Sequence, residues 1–422
     1  MTTDVRARYR GSGGGDLARR EAILDAATAL FGRQGFSTTT MDEVAEAADV
    51  AKRTLYRYMG SKDGILVAIH ERFLDRSTME IVSQALSSAP EQLLHFVHHH
   101  TGVVAKHQRE IRVFVEEMKH LPDDAREHVV FRRDAYEGIL RGVLQRGIDD
   151  GDFRAVDVPI VAQAILGALT NMYRWYDPDG SLSASEIAGH LGEMFLNGIC
   201  ARGNRSSVAA VPVTTEISAN CQAMPSPWDT NPVLSRILDA ATTLFYEEGY
   251  HEATTRELAE ASGLTKGALY YYIGQKEAAL FQVHQKVTNK GIESLSRVLA
   301  EGGPPVPTLR QLIHEHCVIM EDYQQAIAVF SDEMKFLSPE HLDEVVKLRR
   351  VYTALWRRAL ENGVAAGTFK APHLTLTTMS LLGLLNYMSL WYRPGGRLGP
   401  TQIAEQFADL IFYGLLVDDS DS

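Results

Sequence analysis

Residues 23–66 read ILDAATALFGRQGFSTTTMDEVAEAADVAKRTLYRYMGSKDGIL, and residues 237–280 read ILDAATTLFYEEGYHEATTRELAEASGLTKGALYYYIGQKEAAL. The two segments align without a gap at a constant offset of 214 and share 21 identities in 44 positions. Both place apolar residues at spacings of three and four, which is typical of amphipathic helices. One chain therefore carries two copies of the same small helical unit.

The repeat continues beyond these segments at an offset of 216. WYDPDG at 175–180, for example, corresponds to WYRPGG at 391–396. The duplicated unit covers about 23–200 and 237–416, which is 358 of the 422 residues. Glycine and proline fall between the periodic stretches, and no strand pattern of period two is present, so the fold class is predicted to be all-α.

Composition limits the possible function classes. The chain is 45% hydrophobic, enough for two to four domains with proper cores. No apolar run approaches the ~18 residues of a membrane span, and no leader is recognisable, so we expect no membrane association. Cys200, Cys221 and Cys317 lack metal or redox spacing, which favours a reducing cytoplasm. The net charge of −12 argues against a generally cationic DNA binder but allows a local basic surface.

The first copy has the pattern of a helix-turn-helix. A helix over about 17–34 ends at Gly35, and Thr40 with Glu43 forms a predicted capping box for a second helix. A tight turn at 48–50 leads to a third short helix, AKRTLYRY, and the second helix of such a pair enters the major groove of DNA. Asp49 in this turn, like Gly263 in the second copy, tolerates a positive φ.

Residues 39–66, TTMDEVAEAADVAKRTLYRYMGSKDGIL, and 254–280, TTRELAEASGLTKGALYYYIGQKEAAL, resemble the tetracycline-repressor (TetR) family. The resemblance implies cytoplasmic all-helical repressors that dimerise through the last two helices of a ligand-binding domain. In that family a small molecule releases the protein from a palindromic operator. An ordinary member is about half this length, so the chain resembles a covalently fused dimer, a pseudo-dimer of two units.

The resemblance also indicates which residues contact double-stranded DNA. Its base-contacting positions fall on Lys52, Arg53, Thr54, Lys266 and Ala268. Its phosphate contacts, together with the corresponding Arg57 and Tyr271, fall on Thr40, Tyr56, Tyr58, Lys62, Thr254, Tyr270, Tyr272 and Lys276. The alternative for any one of these is a packing tyrosine or a solvated lysine, but the whole set occurs twice.

The two heads are expected to differ in strength. Arg53 becomes Gly267 and Arg57 becomes Tyr271 in the second copy. Residues 1–76 hold 12 basic against 11 acidic side chains, whereas 228–290 hold 6 against 8. Because neutralised phosphates supply much of DNA affinity, we expect the first head to dominate binding and the two half-sites to differ.

The apolar helices at about 157–177 and 184–200, and at 373–392 and 401–416, are predicted to form a four-helix bundle between the halves. The competing interpretation is a homodimer of tandem chains with four heads. The domain boundaries that follow are a basic arm (1–16), a first head (17–64), a first ligand-binding domain (65–200), a linker (201–232), a second head (233–278) and a second ligand-binding domain (279–417).

Polar residues on apolar helix faces predict a ligand site in each half, although a lone buried histidine is more often a core residue. The candidates are His100, Glu117, Tyr136, Trp175, His316, Glu333, Tyr352 and Trp391. Neighbouring histidines on a helix point in different directions, so no metal or other cofactor is predicted. The repeated GxxxGxF and WYxPxG patterns resemble the branch of the family that responds to acyl-CoA thioesters of fatty-acid and cholesterol catabolism.

Three functions compete at this point. The first is a ligand-gated repressor with two non-identical heads, whose effector is a small apolar or acyl-CoA-type molecule. The second is an acyl-CoA enzyme or carrier, for which His100 with Glu117 is the only candidate dyad; no nucleophile–base pair supports it. The third is an interaction scaffold with one working head.

Overall fold

The structure, a computed structural model, describes residues 14–79, 88–198 and 227–414. The regular secondary structure of these residues is helical, and no strand is assigned among them. The all-α prediction is confirmed. Most of the predicted arm (1–13), most of the predicted linker (201–226), and Cys200 and Cys221 lie outside the described residues.

The two copies contribute matching sets of α-helices. In chain order they are α1 (Gly14–Gln34), α2 (Met41–Ala47), α3 (Lys52–Met59), α4 (Lys62–Met79), α5 (Ala89–Lys106), α6 (Gln108–Glu116), α7 (Asp123–Asp149), α8 (Val158–Thr170), α9 (Ala184–Asn197), α10 (Pro227–Thr230), α11 (Pro232–Glu248), α12 (Thr255–Ala261), α13 (Lys266–Ile273), α14 (Lys276–Glu301), α15 (Pro305–Asp322), α16 (Gln324–Glu333), α17 (Pro339–Ala365), α18 (Leu374–Asn386), α19 (Met388–Trp391) and α20 (Pro400–Tyr413). Short 3₁₀ segments lie at Met118–His120, Asn171–Arg174 and Met334–Phe336.

Two predicted boundaries shift. Helix α1 begins at Gly14, inside the predicted arm, and α10 lies inside the predicted linker. The start of the second head follows from its sequence, because the Asn231 side chain accepts hydrogen bonds from the amides of Val233 and Leu234. Pro232 follows at the first helical position, where its missing amide hydrogen costs nothing.

The chain divides into two compact units: Met1–Glu80 with His107–Asp134, and Ile81–Lys106 with Ala135–Ser422. The first unit contains α1–α4 and α6 around a core that includes the fully buried Ile23, Leu24 and Phe31. Arg72 is buried in this unit, and its guanidinium lies 2.6 Å from Glu110 and 2.8 Å from Asp25. A buried charge needs such pairing, so this cluster fixes α4 against α1 and α6.

The second unit contains the second head and the helices predicted to join the halves. Helix α8 packs along α18, and α9 contacts α20. Two glycines at equivalent repeat positions make the close approach possible. A Cβ on Gly167 would lie 2.5 Å from Cβ of Tyr387, and one on Gly383 would lie 3.0 Å from Cβ of Asn171. The four helices named in the bundle prediction therefore contact one another inside one chain.

The polar contacts along this seam are not symmetric. Arg397 lies 2.6 Å from Asp157, and the Asp157 amide donates to the side chain of Gln406. The repeat equivalent of Asp157 is His373, whose ring lies 5.5 Å from that of His190. An ion pair therefore occupies one end of the seam and a histidine pair the other.

Candidate DNA-binding and ligand-binding sites

The helix-turn-helix geometry of both heads is the one predicted. Thr40 caps α2: its hydroxyl accepts from the Glu43 amide at 3.2 Å, and its own amide donates to the Glu43 carboxylate at 2.7 Å. Hydrogen bonding to Thr40 lowers the pKa of Glu43. Thr254 and Glu257 repeat the capping box in the second head. Asp49 has φ 51°, and Gly263 in the equivalent turn has φ 66°.

The recognition helices α3 and α13 expose the predicted base-reading face. Leu55 and Met59 anchor α3 in the first unit, which leaves Lys52, Arg53, Tyr56 and Arg57 exposed and Thr54 half-buried.

In the second head, Leu269 and Ile273 are buried in the same way. Lys266, Tyr270 and Tyr271 are exposed, while Ala268 is half-buried. The two heads therefore present the same face, and the second presents tyrosine in place of arginine.

Two predicted phosphate contacts bind backbone carbonyls. The Lys62 ammonium donates to the backbone carbonyls of Phe36, Ser37 and Thr39 at 2.9–3.1 Å. Lys276 makes the same three bonds to Tyr250, His251 and Ala253. An ammonium has three donors, and all three are used. These lysines therefore hold the loop between the first two helices of each head, and their contact with phosphate stays a prediction.

Tyr58 and Tyr272 are half-buried rather than presented to solvent. The Tyr58 hydroxyl donates to the carboxylate of Asp16 on α1. Its prediction as a phosphate contact therefore requires this hydrogen bond to be exchanged for one to DNA.

A charge difference between the heads was missed. Lys52 lies 2.7 Å from Asp42, and hydrogen bonding to Asp42 raises the pKa of Lys52. The repeat equivalent of Asp42 is Arg256, an exposed cation that pairs with Glu260 at 2.9 Å. At this position an acid beside the first recognition helix is replaced by a base in the second head. The gap-free alignment of the two heads already pairs Asp42 with Arg256, but the net charge of each head does not reveal this exchange.

In the ligand-binding domains, the predicted histidine and tyrosine do come together. Nδ1 of His100 lies 2.8 Å from the Tyr136 hydroxyl, and Nε2 lies 3.1 Å from the Thr170 hydroxyl. Nδ1 of His316 lies 2.6 Å from the Tyr352 hydroxyl. Burial lowers the pKa of both histidines to about 3, so both imidazoles are neutral at pH 7. Burial also raises the pKa of both tyrosines, which keep their protons.

The two candidate glutamates contact residues at or next to the heads. Glu333 accepts from the Tyr250 amide at 3.4 Å, in the second head, and Glu117 lies 3.6 Å from His120. The His120 ring in turn stacks on Phe36 of the first head. Helix periodicity identified the buried face, and these contacts lie beside the head loops; that either carboxylate contacts ligand stays a prediction.

The proposed His100–Glu117 dyad lacks support, because both ring nitrogens of His100 already contact hydroxyl groups. The two tryptophans, Trp175 and Trp391, are half-buried. Each has a buried indole N–H with no hydrogen-bond partner among the described residues.

A repeated histidine pair was overlooked. His70 on α4 and His284 on α14 are equivalent at the offset of 214, and both are buried. Their rings lie 5.1 Å from Phe114 and 4.6 Å from Phe330 respectively. Burial lowers their pKa values to about 4 and about 3. Recurrence in both copies was the signal that could have identified them.

Within the part of the chain that the structure describes, no three potential metal ligands cluster. No helix there is both long and apolar enough to cross a membrane. Two helix-turn-helix heads, each followed by a helical domain with a buried polar pair, define a DNA-binding transcription regulator.

The comparisons with known proteins identify its family. A family model described as "Tetracyclin repressor-like, C-terminal domain" matches residues 86–199 and 302–415. A second, "Bacterial regulatory proteins, tetR family", matches 23–69 and 237–283. The chain belongs to the tetracycline-repressor family and carries the family's two-domain unit twice.

Individual relatives each match about one unit. The chain is 27% identical over 183 residues to the "HTH-type transcriptional repressor KstR2" of Rhodococcus jostii, covering 43% of this chain and 90% of that protein. It is 25% identical over 183 residues to the "Fatty acid metabolism regulator protein" of Bacillus subtilis, covering 42% and 93%. Among solved structures, the regulator PfmR from Thermus thermophilus is 31% identical, with a TM-score of 0.41, over 42% of this chain and 97% of that one.

Proposed function

We propose that this protein is a ligand-responsive repressor that places two non-identical heads on one non-palindromic operator. The pairing of α8 with α18 and of α9 with α20 inside one chain carries this proposal. In the family, two subunits supply two heads; here one chain supplies both. The effector is an apolar acyl-CoA-type molecule, which the resemblance of the ligand-binding domains and the name of the fatty-acid regulator support.

The seam supports a monomeric pseudo-dimer over a homodimer of tandem chains. Asp157 of the first half meets Arg397 of the second, and by repeat equivalence two first halves would bring Asp157 opposite Ser181 instead. Two second halves would bring His373 opposite Arg397. Only the mixed pairing gives the ion pair. Effector binding then acts by changing the separation of the heads, which must match successive turns of DNA.

Footprinting with each head disabled tests the two-headed mode. The duplex is one selected from random sequence by the native chain. Arg53→Ala is expected to remove protection from one half-site, and Lys266→Ala, a change on the recognition helix of the second head, from the other. Loss of the same half-site in both variants would leave a single-headed scaffold as the better account. Native mass spectrometry of the same complexes should show one chain per duplex.

A further inference from the structure

The two buried histidine–tyrosine pairs differ at one atom. In the first ligand-binding domain, Nδ1 of His100 contacts Tyr136 and Nε2 contacts Thr170. Both ring nitrogens are therefore satisfied. In the second domain, Nδ1 of His316 contacts Tyr352, but Nε2 is buried and has no partner among the described residues. The repeat equivalent of Thr170 is Asn386, which is exposed.

The unpaired atom calls for a physical explanation, because buried polar groups are almost always hydrogen-bonded. His316 is only 3% exposed, so bulk water does not satisfy it. Its ring neighbour Trp356, 5.9 Å away, is uncharged, and the indole N–H of Trp356 is itself buried without a partner among the described residues. Tyr352 is half-buried where Tyr136 is buried, so the second pair is more exposed at its tyrosine, whereas both histidines are buried.

The hydrogen-bonding character of this nitrogen follows from its neighbour. A neutral imidazole has one donor and one acceptor nitrogen. We assign the Tyr352 hydroxyl as the donor to Nδ1, and this tautomer places the remaining ring proton on Nε2. Nε2 then needs an acceptor. An uncharged carbonyl oxygen suits a neutral donor in apolar surroundings, whereas a phosphate or carboxylate would lack a compensating charge there.

We propose that the chain binds one effector, in its second ligand-binding domain, with Nε2 of His316 donating to the acyl carbonyl. Thr170 accepts from the equivalent nitrogen of His100 and closes that position in the first domain. The inference rests on the proposed function, in which the effector is an acyl thioester. To that function it adds that one effector binds per chain, that the second ligand-binding domain binds it, and that the acyl carbonyl is the group recognised.

Native mass spectrometry of the full chain with octanoyl-CoA and palmitoyl-CoA tests this, with free CoA as the control. We expect one acyl-CoA per chain. His316→Phe should weaken binding roughly fivefold or more, the worth of one hydrogen bond, while the matched His100→Phe should change it less than twofold. Asn386→Thr, which supplies the second domain with the closing hydroxyl, should weaken binding as His316→Phe does. Because Asn386→Thr adds a hydrogen bond and removes none, it tests the single-site inference even if a histidine variant has a lowered melting temperature by circular dichroism.

Two bound acyl-CoA molecules per chain, or equal losses in His100→Phe and His316→Phe, would overturn the single-site inference. So would unchanged affinity in Asn386→Thr, which would mean that a buried water serves Nε2. Anisotropy of the labelled selected duplex separates these results from failure of the proposed function. If acyl-CoA releases the duplex but binds both domains, only this inference falls. If neither thioester binds or releases DNA, the proposed effector class falls as well.

Discussion

Exchanging one residue between the recognition helices should move DNA affinity from one head to the other. Arg53 is exposed on α3, and its equivalent on α13 is Gly267. A Cβ added at Gly267 would meet nothing within 4 Å, so Gly267→Arg can be made without displacing neighbours. Arg53→Ala and Gly267→Arg therefore form a matched loss and gain at one site of the fold.

The size of the effect depends on whether the arginine is free to reach DNA. Lys52 must give up its 2.7 Å contact with Asp42 before it contacts DNA. Arg53 forms no ion pair among the described residues, so no ion pair has to be broken before its side chain contacts DNA. A good bidentate contact to a base is worth about 1–3 kcal/mol, or roughly 5- to 150-fold in affinity. We expect Arg53→Ala to lose binding within that range and Lys266→Ala to lose less.

Fluorescence anisotropy with the selected duplex at several salt concentrations measures both the DNA affinity and its dependence on salt. Gly267→Arg should make the slope of log affinity against log salt more negative by about 0.9 for a phosphate contact, and should raise the affinity further where it reaches a base. A Gly267→Ala control separates the added charge from the improved helix propensity. Equal losses for Arg53→Ala and Lys266→Ala at one salt concentration would refute the reasoning that the first head dominates.

Three further outcomes are expected. Asp42→Asn should strengthen DNA binding about two- to fivefold at low salt by freeing Lys52, and the gain should shrink at high salt; a loss in anisotropy titrations would contradict it. Gly167→Ala should destabilise the chain by about 1–3 kcal/mol, because its Cβ would overlap Tyr387. The control Gly138→Ala has open space around its Cβ and should be neutral or stabilising. Equal melting temperatures for the two variants would count against the close crossing. Burial, followed by the charge of His373, lowers the pKa of His190 to about 4, so its contribution to stability is complete above about pH 6.5 and is lost as pH falls toward 4. Chemical denaturation of His190→Gln should therefore show a shallower loss of stability over that window than the native chain, and parallel curves would exclude the seam histidine as a cause.

Local signals in the sequence predicted the heads well. Thr40 with Glu43 specified the cap, and Asp49 and Gly263 specified the turn, because these features depend on residues only a few positions apart. The members of the histidine–tyrosine pairs were each candidate ligand residues, because they recur in the two copies on apolar faces, but their pairing was not predicted. Repetition and short-range spacing carried these predictions.

The contacts that the sequence did not predict involve neighbours distant in sequence. The resemblance marks Lys62 as a phosphate contact, whereas the carbonyls that it binds lie 23–26 residues earlier and leave no local signal. Glu333 has the periodicity of a buried face, yet its acceptor oxygen meets the Tyr250 amide 83 residues away. Helical spacing shows which side of a helix is covered but not by what. The Lys52–Asp42 pair was missed for the same reason.

The unlike ends of the α8–α18 and α9–α20 seam have a genetic consequence. In a homodimer every substitution near the twofold axis appears twice and must be tolerated at both ends of the interface. Here Asp157 occurs once, and a single change elsewhere in the same gene, at Arg397, complements it. Each side of the interface in such a chain can therefore change separately. A symmetric homodimeric relative in the same cell could not pair with either half and keep the Asp157–Arg397 ion pair.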